Sequence, residues 1–261
     1  MLATAAFVAP AAAADLGGMP ARSMKDEPND FRPAFSWTGL YVGAHAGYGF
    51  GGDSNVETTG QVAANVATVA SGARPGSVEL DRKGFIGGGQ IGYNWQMNGF
   101  VFGLEADISK TDLKESTNVV TSVGGNVRNN QFSSRLDYLG TVRGRVGLAF
   151  DKTLLFVTAG LAYGDVENAA NFFGPNGSGG VRQFTGSSSG VETGYVVGGG
   201  FEHAFTQNWT FKGEYLYYDL GSNTVGVNLI PTAVPLGVGT GYNSRFDNDG
   251  HIVRAGVNYK F

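Results

Sequence analysis

The sequence predicts an all-β protein, an eight-stranded antiparallel transmembrane β-barrel with short periplasmic turns and four long extracellular loops. Three observations lead to this prediction. Apolar and polar residues alternate with the two-residue period of a β-strand in eight separate stretches. The connections between these stretches are alternately short and long. Glycine contributes 43 of the 261 residues, whereas charged residues contribute only 15%.

The composition also limits the classes of function. A net charge of -4 at pH 7 argues against a nucleic-acid-binding protein, which needs a basic surface. An aromatic content of 12% with few charges argues against a disordered chain. Cysteine is absent, so no disulfide can stabilise the fold. Beyond the N-terminus, no apolar run is long enough for a transmembrane helix.

Three segments divide the chain. Residues 1–14 predict a signal peptide, because a short apolar stretch ends in three alanines before Asp15. The basic region of such a peptide is missing, and we expect that the true start lies further upstream. The alternative is a buried N-terminal helix. Residues 15–36 are polar and contain three prolines, which predicts a flexible periplasmic leader, and residues 37–261 predict the barrel.

The eight predicted strands reach the length of about 9–11 residues that a tilted strand needs to cross a bilayer. They are residues 39–50, 85–95, 100–109, 136–150, 154–164, 191–205, 209–218 and 251–261. Large apolar side chains occupy one face of each strand, and glycine and charged side chains occupy the other. A membrane barrel turns the first face to lipid. A soluble lipocalin-like barrel or sandwich, which buries the apolar face, is the alternative.

The connections favour the membrane barrel over the soluble fold. Short connections lie at 96–99, 151–153 and 206–208. Long ones, rich in Gly, Ser, Thr and Asn, lie near residues 51–84, 110–134, 165–190 and 219–250. Four structureless loops of this length are unusual in a soluble domain. In an outer-membrane barrel, long loops are expected on the extracellular side and short turns on the periplasmic side.

Charged residues on the inward face predict a polar network inside the barrel. An eight-stranded barrel is just wide enough for side chains to fill its interior, so opposite charges there have to pair. The network has two interpretations, a fixed plug or a gate that opens when the pairs rearrange, and the plug is favoured. Its predicted members are Glu105, Asp107, Asp137, Arg143, Arg145, Glu202, Lys212, Glu214 and Arg254.

Large aromatic residues cluster beside the short turns. Outer-membrane barrels carry such aromatic girdles where the lipid headgroups meet the hydrocarbon. Trp37 precedes the first strand and is out of phase with it, so its lipid contact is not implied. The predicted periplasmic girdle consists of Trp37, Trp95, Phe150, Phe205 and Trp209.

Three segments resemble a known family. They are the run from Trp37 to Gly43, the run Glu-Tyr-Leu-Tyr-Tyr-Asp-Leu-Gly at 214–221, and the last strand. That strand ends in Val257, Tyr259 and Phe261, which resembles the assembly signal of outer-membrane barrels. With these features, residues 37–261 resemble the small porin-family outer-membrane proteins of alpha-proteobacteria, a group that includes immunogenic and haemin-binding proteins and has the OmpA-type eight-stranded barrel.

The resemblance implies a location in the cell outer membrane. In that setting we expect contacts with outer-membrane lipid and lipopolysaccharide. We also expect recognition by the barrel-assembly machinery through the C-terminal strand, and surface partners for the long loops. Nucleic acid is not expected as a partner.

No residue pattern points to catalysis, a metal site or a cofactor. His45, His203 and His251 have no metal-ligand spacing, and none is followed two residues later by the serine found in lipid A deacylases. The expected role is therefore structural and surface-exposed, without enzymatic activity. The alternative is a narrow porin-like channel for small solutes. A third hypothesis is a surface binder of haemin or of a host, for which Tyr242 is the one loop residue that could ligate haem, with His251 at the loop edge.

Overall fold

The strands of the barrel can be followed through nearly all of the predicted barrel region. The computed structural model describes residues 35–52, 55–175, 179–230 and 240–261. The predicted signal peptide (1–14) and residues 15–34 of the predicted leader lie outside the described residues. The last two leader residues, Phe35 and Ser36, belong to the same compact unit as the barrel, which comprises Phe35–Phe261.

The described chain forms ten strands and one helix. They are β1 (Gly39–Gly51), β2 (Asn55–Gly60), α1 (Ala63–Ala70), β3 (Ser77–Glu79), β4 (Gly84–Met97), β5 (Phe100–Val123), β6 (Asn126–Phe150), β7 (Thr153–Pro175), β8 (Val181–Ala204), β9 (Trp209–Leu229) and β10 (Gly241–Lys260). No helix in these ranges has the length and hydropathy needed to cross a bilayer.

Eight of the strands close into an antiparallel ring, which confirms the predicted fold. The order around the ring is β1-β4-β5-β6-β7-β8-β9-β10, and β10 pairs with β1 to complete it. At this seam Tyr41 lies opposite Lys260 and Gly51 lies opposite Gly250. The Phe261 N–H donates to the Leu40 carbonyl at 3.0 Å. Each of the eight strands therefore has a paired neighbour on both sides, as a structure in lipid requires.

The strands extend much further than the sequence pattern predicts. Strands β5 to β8 have 23 to 25 residues each, about twice the length that crosses a bilayer. Most of the residues of the predicted loops at 110–134, 165–190 and 219–250 continue the strands. Between β5 and β6 only Gly124 and Gly125 remain as a turn, with φ of 61° and 78°. The parts of β5 to β10 that lie within residues 110–134, 165–190 and 219–250 form what we call the extracellular extension.

The predicted first loop, 51–84, supplies extra structure beside this extension. It contains β2, α1 and β3. Strand β10 changes its partner along its length: Gly250–Lys260 pair with β1, whereas Tyr242–Phe246 pair with β2. Above the end of β1, strand β2 thereby takes the place next to β10, and β3 pairs with β2.

The interior of the barrel is filled in layers. From the periplasmic end these are an apolar base cluster, a layer of charged side chains, a middle apolar layer and an upper apolar core in the extension. The base cluster consists of Phe35, Trp37, Val101, Leu154, Phe156 and Ala204. The middle apolar layer consists of Ile86, Leu113, Leu136, Leu139, Ala162, Val166, Val196, Leu216, Tyr218, Leu220 and Ile252. The upper core includes Val56, Phe132, Phe172, Phe184, Val227, Tyr242 and Phe246.

Candidate functional site

The charged layer in the barrel interior is the main polar site of the membrane-spanning part. Eight of the nine residues predicted for it lie there, and each of their side chains is no more than 3% exposed. Because four of them are acids and four are bases, the layer is formally neutral. Its members are Glu105, Asp107, Arg143, Arg145, Glu202, Lys212, Glu214 and Arg254.

Arg143 lies at the centre of this charged layer. Its Nη1 contacts Glu214 Oε2 at 3.0 Å, and its Nη2 contacts Asp107 Oδ2 at 3.0 Å. The same Nη2 makes an ion pair with Glu105. Its Nε donates to Thr141 Oγ1 at 3.0 Å. One guanidinium, which carries its donors in a rigid plane, thus joins three carboxylates and a hydroxyl.

Two more cations connect the same carboxylates from the other side of the barrel. Arg254 Nε lies 2.7 Å from Glu214 Oε1, and Arg254 Nη1 lies 3.0 Å from Asp107 Oδ1. Lys212 Nζ lies 2.9 Å from Glu105 Oε1 and 3.0 Å from Glu214 Oε1. Each of these carboxylates therefore contacts at least two cations, which offsets the cost of burying it.

Arg145 forms the periplasmic end of the charged layer. Its Nη2 contacts Glu202 Oε2 at 2.7 Å, and its guanidinium lies 4.4 Å from the centre of the Phe156 ring. Its Nη1 donates to Tyr41 Oη at 3.1 Å, and Tyr41 Oη donates to Glu105 Oε2 at 2.6 Å. Tyr41 is not among the predicted members of the network. Its inward phase on β1 indicates a position in the interior, but an aromatic side chain does not by itself indicate a polar role.

His45 also belongs to this layer, at 5% exposure. Arg254 Nη1 lies 3.1 Å from His45 Nε2, and Ser109 Oγ lies 2.7 Å from the same nitrogen. Because a guanidinium can only donate, Nε2 accepts. The other ring nitrogen, Nδ1, therefore carries the proton and donates to Gln90 Oε1 at 3.2 Å. The imidazole is neutral in this arrangement and serves as one more connecting group.

The placement of Asp137 inside the barrel is wrong. Asp137 lies on the outer face, where it makes a 3.0 Å ion pair with Arg135 and is 47% exposed. The cause is a β-bulge between Leu136 and Leu139, which shifts the phase of β6. Leu136 consequently points inward into the middle apolar layer. Without Asp137 the layer has equal numbers of acids and bases.

The placement of Trp37 in the girdle is also wrong. Trp37 is 1% exposed and packs edge-on against Phe35, with ring centroids 4.9 Å apart. It fills the periplasmic end of the interior because it precedes β1 and turns beneath the barrel. The other four predicted girdle residues lie exposed on the outer wall beside short turns: Trp95, Phe150, Phe205 and Trp209.

The last strand presents its predicted assembly residues on the outer wall. Val257 and Phe261 are exposed, and Tyr259 is half-buried. The Tyr259 ring lies 5.1 Å from the Trp209 ring and 5.1 Å from the Phe261 ring. These contacts join the C-terminal strand to the aromatic residues of β9 at the periplasmic edge.

The loop residue proposed as a haem ligand is not accessible. Tyr242 is 3% exposed, and its ring lies 5.3 Å from Phe172 and 5.2 Å from Phe184. His251 Nδ1 is 2.6 Å from Tyr215 Oη, on the outer wall. The buried position of Tyr242 therefore weighs against the haemin hypothesis. Within the part of the chain that the structure describes, no group of three or more His, Cys, Asp or Glu residues could hold a metal ion.

Glycine at position 92 allows the charged layer to form. A side chain at Gly92 would collide with the Tyr41 ring, which lies across it on its way to Glu105. We therefore expect that Gly92→Val lowers the free energy of unfolding by about 1–3 kcal/mol through overpacking. Urea unfolding followed by tryptophan fluorescence measures this effect. Gly89→Val is the matched control, because Gly89 faces outward and its nearest heavy atom is 3.7 Å from an added Cβ. Equal losses in the two variants would contradict the prediction.

A closed antiparallel ring with an apolar outer band, aromatic residues near its edge and paired charges inside defines an integral outer-membrane β-barrel protein with a filled interior. The chain belongs to the family described as outer membrane protein beta-barrel domain, which matches residues 1–261. The protein is accordingly located in the outer membrane.

Relatives agree with this assignment. The chain is 35% identical to a 31 kDa outer-membrane immunogenic protein of Brucella melitensis biotype 1, over 87% of this chain and 85% of that protein. It is 30% identical to a 22 kDa outer membrane protein of Rhizobium leguminosarum bv. viciae, over 80% of this chain and 79% of that protein. Both are alpha-proteobacterial relatives of the kind that the resemblance implies. Their names describe outer-membrane proteins and no enzymatic activity.

Solved structures show only weak overall similarity. Neisserial surface protein A has 17% identity and a TM-score of 0.34, covering 86% of this chain and 98% of that chain. The N-terminal β-barrel domain of Pseudomonas aeruginosa OprF has 13% identity and a TM-score of 0.32, covering 84% and 97%. Similarities at this level add nothing to the fold that the strand pairing shows.

Proposed function

We propose that the protein is a non-conducting, non-enzymatic barrel that anchors a folded extracellular extension in the outer membrane. One observation carries this proposal: the charged layer is covered on both sides by apolar layers. The base cluster lies on its periplasmic side and the middle apolar layer on its extracellular side. An ion would have to displace buried apolar side chains twice and break paired charges once.

The porin-like alternative requires a movable interior, and the packing weighs against it. Arg143 contacts three carboxylates that are themselves held by Arg254 and Lys212. Moving one cation leaves buried carboxylates with fewer partners, which is strongly unfavourable. Leu113, Leu136 and Ile252 are fully buried directly above this network. These contacts favour the fixed plug over the gate.

Conductance across a planar bilayer tests the closed interior. We expect the refolded protein to give no discrete current steps, whereas a general porin with an open channel gives them in the same apparatus. Folding is checked independently by the shift in gel mobility that outer-membrane barrels show on heating. Discrete steps from the wild-type protein, with an ion selectivity that changes in Glu105→Gln, would overturn the proposal.

We also propose the partners that this role requires. The outer wall between the girdle and the extension is apolar, as contact with lipid and the acyl chains of lipopolysaccharide requires. The outward row of Val257, Tyr259 and Phe261 beside the seam is accessible to the barrel-assembly machinery. Exposed valines at the tips of the extension, Val120, Val127 and Val181, support contacts with surface partners.

A further inference from the structure

A small pocket lies at the extracellular end of the extension. Its volume is about 140 Å³, and its walls come from α1 and the ends of β6, β7, β8, β9 and β10. Three arginines line it, Arg74, Arg128 and Arg182, together with Asn65. Pockets for drug-sized ligands have volumes of roughly 300–1,000 Å³, so this pocket has room for a single small chemical group.

Arg74 is buried in the wall of this pocket, and its guanidinium is held by neutral partners and aromatic rings. The residue is 2% exposed. Its Nη1 donates to Asn130 Oδ1 at 2.6 Å and to the Phe173 carbonyl at 3.0 Å. Its Nε is buried and has no hydrogen-bond partner among the described residues. Nη2 lies 3.4 Å from the position that a Cβ would take at Gly174, so the glycine leaves space beside it.

Aromatic rings fix the orientation of the Arg74 guanidinium. Its central carbon lies 5.1 Å from the centre of the Phe172 ring, 5.8 Å from that of Phe184 and 5.7 Å from that of Tyr242. Burial lowers the pKa of Arg74, a side-chain hydrogen bond with Tyr242 opposes the decrease, and the nearby charge of Arg128 adds to it. The side chain is therefore a rigid, desolvated cation, and its charge is not offset by a carboxylate.

The neighbouring arginines also lack carboxylate partners. Within the ranges that the structure describes, Arg74, Arg128 and Arg182 make no ion pair, and Arg182 Nε is buried without a hydrogen-bond partner. The segments 176–178 and 231–239, which adjoin the pocket in the chain, contain no Asp or Glu. By contrast, the exposed Arg135 and Arg245 of the extension each contact a carboxylate. A group of like charges without counter-charge is unfavourable unless an anion binds.

Asn65 completes the polar wall. It is 7% exposed, and its Oδ1 is buried with no hydrogen-bond partner among the described residues. Its side-chain amide lines the pocket and carries N–H donors in addition to those of the arginines.

We propose that this pocket binds a tetrahedral oxyanion, a phosphate or sulfate group, at the cell surface. Arg74 offers a planar guanidinium of the kind that suits such a group, Arg128 and Arg182 supply positive charge, and Asn65 supplies the neutral donor. The source is either free inorganic anion or an ester on a larger surface ligand. Binding at this site is independent of whether the barrel conducts ions.

Calorimetric titration of the full-length protein, refolded in detergent at low salt, tests the proposal. The probes are inorganic phosphate, inorganic sulfate, glucose 6-phosphate and acetate. We expect saturable binding of phosphate or sulfate and none of acetate. Binding of glucose 6-phosphate as well as phosphate would identify an ester as an acceptable source, and binding of phosphate alone would identify the free anion.

Variants of the surface arginines locate the site. Because Arg74 is buried and its replacement can disturb folding, Arg182→Gln and Arg128→Gln are the main tests. Each is expected to weaken phosphate binding about tenfold or more, as the loss of a charged hydrogen bond does. Arg245→Gln, in the extension but outside the pocket, is the matched control and should leave the affinity unchanged. Absent binding, equal acetate binding, or an equal loss in all three variants would overturn the proposal.

Discussion

Replacing Arg143 with alanine is expected to lower the free energy of unfolding by about 3–5 kcal/mol. The reason is that Arg143 is the shared partner of Glu105, Asp107 and Glu214, whose side chains are almost fully buried. Its removal leaves three carboxylates with fewer cations in an interior that water does not reach. Urea unfolding in lipid vesicles, followed by the fluorescence of the three tryptophans, measures the change.

Arg135→Ala is the matched control for this experiment. Arg135 also contacts two carboxylates, Asp137 and Glu167, but all three side chains are about half exposed. Exposed ion pairs contribute about 0–1 kcal/mol, so this variant should unfold close to the wild type. A midpoint for Arg143→Ala equal to that of Arg135→Ala would show that the buried network contributes no more than a surface pair.

Introducing a charge on the outer wall, as in Val142→Arg, is expected to cost about 2–4 kcal/mol. Val142 is exposed on the same strand as Arg143 but on the opposite face, where it lies beside Ala106 and Leu161. It is located well above the periplasmic girdle residue Phe150, so the new guanidinium would lie within the hydrocarbon region. The same urea measurement in vesicles gives the cost.

Val127→Arg makes the same substitution outside the membrane. Val127 is also exposed and lies on the same strand, β6, but near the tip of the extension. An ordinary surface substitution changes stability by roughly 0.5 kcal/mol or less. If both variants lost the same stability, the effect would come from the arginine side chain and not from lipid, and the assignment of the β6 outer face to the bilayer would fail.

The fold and most of the charged layer could be predicted because alternation continues unbroken through the membrane-spanning half of each strand. On β9, for example, Lys212 and Glu214 share an inward phase with Thr210, and Phe211 and Tyr215 point outward. A barrel surrounded by lipid makes this alternation strict, since a charge on the wrong face is costly. The residues on the polar face of each strand can therefore be assigned to the barrel interior from the sequence alone.

Other features depend on geometry that alternation does not contain. The bulge after Leu136 reverses the phase for Asp137, and no residue pattern marks the bulge in advance. The extension escaped prediction because its strands are rich in Ser, Asn and Gly, which have weak β-propensity. Residues 187–189 of β8, for instance, are three serines, and they pair with β7 all the same. In the extension, pairing with a long neighbouring strand therefore determines the structure, and the β-propensity of the individual residues does not.

The seam between β1 and β10 has a consequence for how the barrel assembles. Six of the other seven contacts in the ring join strands that are consecutive in the chain, so those hairpins can form early, and β1 meets β4 across residues 52–83. The seam, by contrast, joins Tyr41 to Lys260. Arg254 on β10 and His45 on β1 meet the carboxylate of Asp107 and the hydroxyl of Ser109 on β5 across the interior. Before the seam closes, these groups can remain hydrated. We expect that closure and the loss of their water occur in one cooperative event, so that a half-open barrel gains none of the stability of the finished network.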